Sequence, residues 1–163
     1  SNTEITSSGL EMIQNAEKSL FDLAERGHFN QSVMKFDSAL KQTIEMAKSA
    51  YKNEEGIVGV SCYNSKHSAL VGAEAGADYV AFGAFFATTT KTPRTRAELE
   101  LLTWWQQTTT VPCVAIGGIT VNNCTPVISA GADFIAVISG VWDHSGGLSV
   151  ALSQFDKLCL PPN

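Results

Sequence analysis

AGADYVAFGAFFATTTK at Ala75–Lys91 and AGADFIAVISGVW at Ala130–Trp142 open on the same seven-residue theme, repeated 55 positions apart. In each copy a helix end gives way to a glycine, a small alanine, an aspartate and then a β-branched and aromatic run. Glycine supplies the left-handed backbone that stops a helix. An apolar run without polar alternation is the pattern of a strand covered on both faces, as in a parallel sheet. Duplication of a two-unit βα block produces such an echo, and so does convergence on a generic αβ turn.

Outward from these two stretches the pattern continues. Strands are predicted at Ile57–Ser61, Tyr79–Phe86, Val111–Ile116 and Phe134–Ile138, with helices at about 65–75, 95–108, 122–130 and 147–158. The order β-α-β-α-β-α-β-α predicts an α/β fold with a parallel sheet. Residues 57–163 supply four βα units, as in a doubly wound sheet or as half of a (β/α)8 TIM barrel, which needs about 200 residues or more.

Before Ile57 the composition changes. Residues 1–56 carry 15 charged positions and three glycines, whereas 57–163 carry 12 charged positions and ten glycines. Leu10, Ile13, Leu20, Leu23 and Ala24 recur at helical spacing, as do Phe36, Leu40, Ile44 and Ala47. These predict an α-helical hairpin, 10–27 and 37–52, joined by a polar link at His28–Ser32. The domain reading is a helical segment at 1–56 and a half barrel at 57–163.

Composition narrows the function. The chain has 163 residues and is 44% hydrophobic but only 17% charged, against about 25% charged in a typical soluble domain, which excludes disorder. A net charge of −5 gives no field for a polyanionic backbone, so direct nucleic-acid binding is not expected. No run nears the roughly 18 apolar residues of a membrane span, and no signal segment opens the chain. Cys62, Cys113, Cys124 and Cys159 lack metal-finger spacing and read as free thiols, so a cytoplasmic location is expected.

Ligands of parallel α/β folds meet the carboxyl ends of strands. The residues expected there are Ser61, Thr88-Thr89-Thr90-Lys91, Gly117-Gly118-Ile119 and Ile138-Ser139-Gly140. Glycine-freed N–H groups, hydroxyls and one lysine, with no carboxylate, make an anion cradle. A phosphorylated small molecule fits that chemistry better than a sugar or a metal. His28, His67 and His144 are scattered and read as surface or capping residues, and Trp104 and Trp105 as packing. No GxGxxG or Walker pattern is present.

These segments, with VPCVAIGGIT at Val111–Thr120, resemble the last four βα units of thiamine-phosphate synthase over about residues 56–158. The resemblance implies a transferase of thiamine biosynthesis, joining hydroxymethylpyrimidine diphosphate to thiazole phosphate with loss of diphosphate and using Mg²⁺. It places Ser61 and Lys91 as catalytic residues near the diphosphate. Thr88 and Thr90 would lie near the thiazole phosphate, with Gly117, Gly118 and the Val137, Ile138 and Ser139 backbone holding it. The family's Mg²⁺ aspartates precede this region and have no match in 1–56, which weighs against catalysis by the chain alone.

Gly9–Gly56 instead resembles the linker of a DnaB-type replicative DNA helicase, a family whose linker docks on a neighbouring ring subunit. The alternative function is therefore a non-catalytic oligomerisation or partner-docking module, or a chimera without native function. Four strands cannot close a barrel, so the open sheet predicts a homo-oligomer of half barrels, a complementing half barrel, or cover from the two helices.

Overall fold

The structure, a computed structural model, describes residues 29–50, 56–88 and 95–159. Its elements run α1 (Phe29–Ala50), β1 (Gly59–Tyr63), α2 (Lys66–Glu74), β2 (Tyr79–Gly83), α3 (Leu99–Thr108), β3 (Cys113–Ile116), α4 (Cys124–Ser129), β4 (Phe134–Ala136), α5 (Ser139–Trp142) and α6 (Leu148–Cys159). The four strands form one parallel sheet in the order β1-β2-β3-β4, an α/β half barrel of consecutive units.

The echo in the sequence is an echo in three dimensions. β1 pairs with β2 as Gly59↔Tyr79, Val60↔Val80 and Ser61↔Ala81, and β3 pairs with β4 as Val114↔Phe134, Ala115↔Ile135 and Ile116↔Ala136, the same register shifted by 55 residues. Gly76 and Gly131 both take positive φ, 88° and 106°, after the helices they end. Ala77 N–H donates to Gly72 O and Ala132 N–H to Val127 O, again equivalent positions. Each repeat aspartate then grips the start of the preceding strand: Asp78 Oδ2 accepts from Val58 N–H and Asp133 Oδ2 from Cys113 N–H, both at 2.8 Å.

The core lies on the convex side of the sheet. Val60, Cys62, Val80, Phe82, Cys113 and Ala115 alternate along the strands and are buried beneath the helices. Trp105 of α3 is wholly buried, meets Phe82 edge-on at 5.5 Å and donates its Nε1–H to Val111 O at 2.8 Å. Trp104 beside it carries the Lys66 ammonium over its ring at 4.6 Å. Leu40 and Ile44 of α1 belong to this same core, so α1 sits in the helical layer. It is tied to its neighbours by ion pairs from Lys41 to Glu74 and from Lys48 to Asp78.

The opposite, concave face is open. Its residues are Gly59 and Ser61, Tyr79, Ala81 and Gly83, Val114 and Ile116, and Phe134 and Ala136, with Phe134 61% exposed and Ile116 40% exposed. The Tyr79 ring is laid across Gly59, so a Cβ there would have to push the ring aside.

Several boundaries differ from expectation. α1 is already helical at Phe29, ahead of the start expected at 37, since no glycine or proline interrupts 29–50 and the helix continues through the anticipated link. β1 runs Gly59–Tyr63 rather than Ile57–Ser61, because Val58 N–H is taken by the Asp78 carboxylate instead of the ladder. β2 ends at Gly83 and β4 at Ala136, where the chain turns into loops. α5 was not expected. The helix expected at 10–27 lies outside the described residues.

Candidate functional site at the strand ends

At the carboxyl end of the sheet two loops interlock. Phe85 N–H donates to Ile116 O at 3.3 Å and Phe86 N–H to Gly117 O at 3.0 Å, so the backbone after β2 lies against the backbone after β3. Gly117 and Gly118 hold positive φ, 100° and 66°, and a Cβ on them would strike Ala84 and the Ala87 carbonyl respectively. Only glycine meets both demands. Thr88 follows this contact and is half-buried, with a partner of its own.

The third loop is fastened by a residue that sequence reasoning missed. Asn123 Nδ2 donates to Gly118 O at 3.0 Å while its Oδ1 accepts from Thr120 N–H at 2.7 Å, which clamps Gly118–Thr120 from both ends. A side chain that reaches back three residues to a threonine N–H has the spacing of a capping box, and Thr120-Val-Asn-Asn123 carries that spacing. Ile119, 2% exposed, roots the loop in the core.

Gly140 of α5 packs on this loop so closely that a Cβ would meet Ile119 O. Val141 and Trp142 N–H both donate to Ile138 O, which leaves the preceding N–H groups, on Ser139 and Gly140, without an intrahelical acceptor. Gly117, Gly118, Val137, Ile138 and Ser139 are thus gathered at one end of neighbouring strands. Their surface offers backbone donors and a hydroxyl.

Ser61 is placed differently from the strand-tip position expected of it. It lies in the middle of β1 on the open face, level with Ala81, Val114 and Phe134, because β1 runs two residues further. Two strand spacings across the sheet and three residues along it, about 14 Å in all, separate it from Gly117 of the β3 loop. Beyond it, Tyr63 takes a φ of 53° and the β1–β2 register slips by one residue. Thr90 and Lys91 lie outside the described residues.

Asp78 and Asp133 of the repeat sit at the other end of the sheet, and both are committed. The Val58 N–H bond, and then the Lys48 ammonium 2.9 Å away, hold Asp78 below the ordinary carboxylate value of 3.8. Asp133 also accepts from Gln106 Nε2 at 3.0 Å. No group of three His, Cys, Asp or Glu converges among the described residues. Magnesium takes oxygen ligands, usually one or two carboxylates with waters and substrate phosphates, and the glycine, hydroxyl and backbone N–H donors gathered at the strand ends do not fit it. Burial pushes the Cys113 thiol up to about 11, and Cys62 and Cys124 are likewise buried, so none of the three has the environment of a nucleophile. His67 bonds Asp37 at 2.8 Å, and His144 Nδ1 accepts from Gly146 N–H.

The sequence profile described as thiamine monophosphate synthase matches residues 39–141, more than half of the chain. The chain belongs to that family. It is 56% identical over 104 residues to thiamine-phosphate synthase of Rhodospirillum centenum, covering 64% of this chain and 50% of the relative. It is 55% identical over 104 residues to that of Hyphomonas neptunium, covering 64% and 47%. Among solved structures, thiamine phosphate pyrophosphorylase from Pyrococcus furiosus matches with a TM-score of 0.61 at 25% identity, covering 95% of this chain and 79% of that one. The chain spans about half the length of the curated relatives it matches. The family match starts inside α1, ahead of the compositional change at Gly56.

Proposed function

We propose that this chain supplies the phosphate-binding part of a thiamine-phosphate synthase-type transferase, acting on hydroxymethylpyrimidine diphosphate and thiazole phosphate with release of diphosphate. The observation that carries this reading is the interlocked surface of Gly117–Thr120, Val137–Gly140 and the β2 loop at the carboxyl end of the sheet. On this reading, Gly118 and the Val137–Ser139 backbone hold the thiazole phosphate, with Thr88 and Thr90 beside it. Lys91 and Ser61 face the diphosphate.

The chemistry fits a site without its own carboxylates. When the bond to diphosphate breaks, the electron pair departs with the leaving group and the pyrimidine becomes a cation that the thiazole captures. Stabilising the departing anion is then most of the task, and preaimed N–H, hydroxyl and ammonium donors do that. Magnesium, implied by the family, does not fit the described residues, and no step is assigned to it. A cytoplasmic enzyme accords with the free thiols, and no described helix is long and apolar enough to cross a membrane.

Differential scanning fluorimetry with thiazole phosphate, and separately with inorganic diphosphate, tests the reading. Either ligand should raise the melting temperature, and Lys91→Ala should abolish the diphosphate shift. No shift with either ligand would refute the proposal.

A further inference from the structure

Among the described residues, Gly76, Gly117, Gly118, Gly131 and Gly147 take positive φ, and so does one residue that is not glycine, Tyr63, at 53°. A bulky side chain in that region is an outlier, and such strain gathers where a side chain has a task. For the backbone alone, glycine would serve at position 63 as it does at the other five.

The strain belongs to a tight connection. Cys62 O accepts from Ser65 N–H at 2.8 Å, which closes a four-residue turn, and Ser65 Oγ caps α2 by accepting from Ser68 N–H at 3.1 Å. Tyr63 is the first central residue of that turn, a place that Gly, Asn and Asp dominate when φ is positive. Just before it the ladder slips. Ser61 lies opposite Ala81, whereas Tyr63, two residues on, lies opposite Phe82, one residue on. A bulge of this kind re-aims a side chain where pairing ends. Cys62 stays in the core, 1% exposed, while Tyr63 is half-buried at the carboxyl end and has a partner of its own.

Tyr63 stands one ligand length from the phosphate-binding loop. Phe82 pairs with Ala115, so Tyr63 is two strand spacings across and two residues short of Gly117, about 12 Å in all. A phosphate, a short chain and two small rings in line cover that span. On the proposed function, a thiazole phosphate anchored at Gly118 points its ring away from the anchor, and the pyrimidine joins at the far side of that ring. Ser61, assigned to the diphosphate, precedes Tyr63 by two residues on the same strand. We propose that the Tyr63 ring receives the pyrimidine of hydroxymethylpyrimidine diphosphate. When the bond to diphosphate breaks, its electron pair leaves with the diphosphate oxygen and positive charge spreads over the pyrimidine. An aromatic face beside the pyrimidine stacks on it and favours that charge. The assignment rests on the proposed function and adds a specificity-determining residue to it.

Calorimetric titration of the full chain with hydroxymethylpyrimidine diphosphate, and separately with inorganic diphosphate, tests the assignment alongside urea denaturation. The unmodified chain should bind the pyrimidine ligand more tightly than diphosphate. Tyr63→Gly and Tyr63→Asn should each bind it about tenfold more weakly, the loss of one ring stack, with diphosphate affinity unchanged. Neither should lower the urea midpoint, because both residues tolerate the left-handed backbone. Tyr63→Phe, which keeps the ring, should keep the pyrimidine affinity. A lowered midpoint in both Tyr63→Gly and Tyr63→Asn would show a packing role and overturn the proposal. Equal losses for the two ligands, or no loss for either, would overturn it too. Those outcomes leave diphosphate binding by the unmodified chain, and so the phosphate-binding reading, in place, whereas an unmodified chain that binds neither ligand overturns both.

Discussion

Gly118 is where backbone conformation and function meet. Its φ of 66° and the Ala87 carbonyl facing it leave no room for a side chain. Gly118→Ala should destabilise the fold by at least about 1–2 kcal/mol, the cost of a left-handed alanine, and should remove the ligand-induced melting shift. Urea denaturation and fluorimetry of the one variant read both effects. Asp78 works at the other end of the sheet. Its carboxyl titrates below 3.8 when folded because Val58 N–H and then Lys48 favour the anion, so the unfolded chain takes up the proton first. Stability from this group is complete above the ordinary value and is lost as pH falls through the lower folded value. Asp78→Asn should therefore flatten the acid limb of the stability curve below about pH 5, as read by denaturation at stepped pH. An unchanged acid limb would remove Asp78 from the account.

Among the elements, the strands were legible because their outward residues are continuous with an apolar core, and the AGAD repeat marked the two helix-to-strand turns. The ends of the elements were not. Ile57 and Val58 have the β-branched composition of a strand, yet the Asp78 side chain displaces the ladder by two residues, and that competition is invisible without the neighbouring element. α5 is four residues long and carries no periodicity to read. The glycine-rich tips were legible as turns and donors, but Asn123, which fixes their geometry, belongs to the start of α4 and looked like an ordinary polar turn. Asn123→Ala leaves Gly118 O and Thr120 N–H without their partner and should cost about 1–3 kcal/mol. It should also weaken thiazole phosphate binding, measured by calorimetry. Trp105→Ala, remote from the tips, should cost about 3–5 kcal/mol through the cavity it leaves under Phe82.

At the scale of the whole sheet, the described residues form a helical layer over one face of four parallel strands and leave the other face open. The glycine-rich loops at the carboxyl end of the sheet present backbone donors, whereas Asp78 and Asp133 at the amino end are taken up by backbone and side-chain partners, so an anionic ligand is expected at the carboxyl end. Amide chemical shifts of the ¹⁵N-labelled chain, followed while thiazole phosphate is added, report that place directly. The account predicts saturable shifts at Gly117, Gly118, Ser139 and Gly140, with Gly76 and Gly131 at the opposite end unmoved. Shifts confined to the amino end, or none up to millimolar ligand, would contradict it.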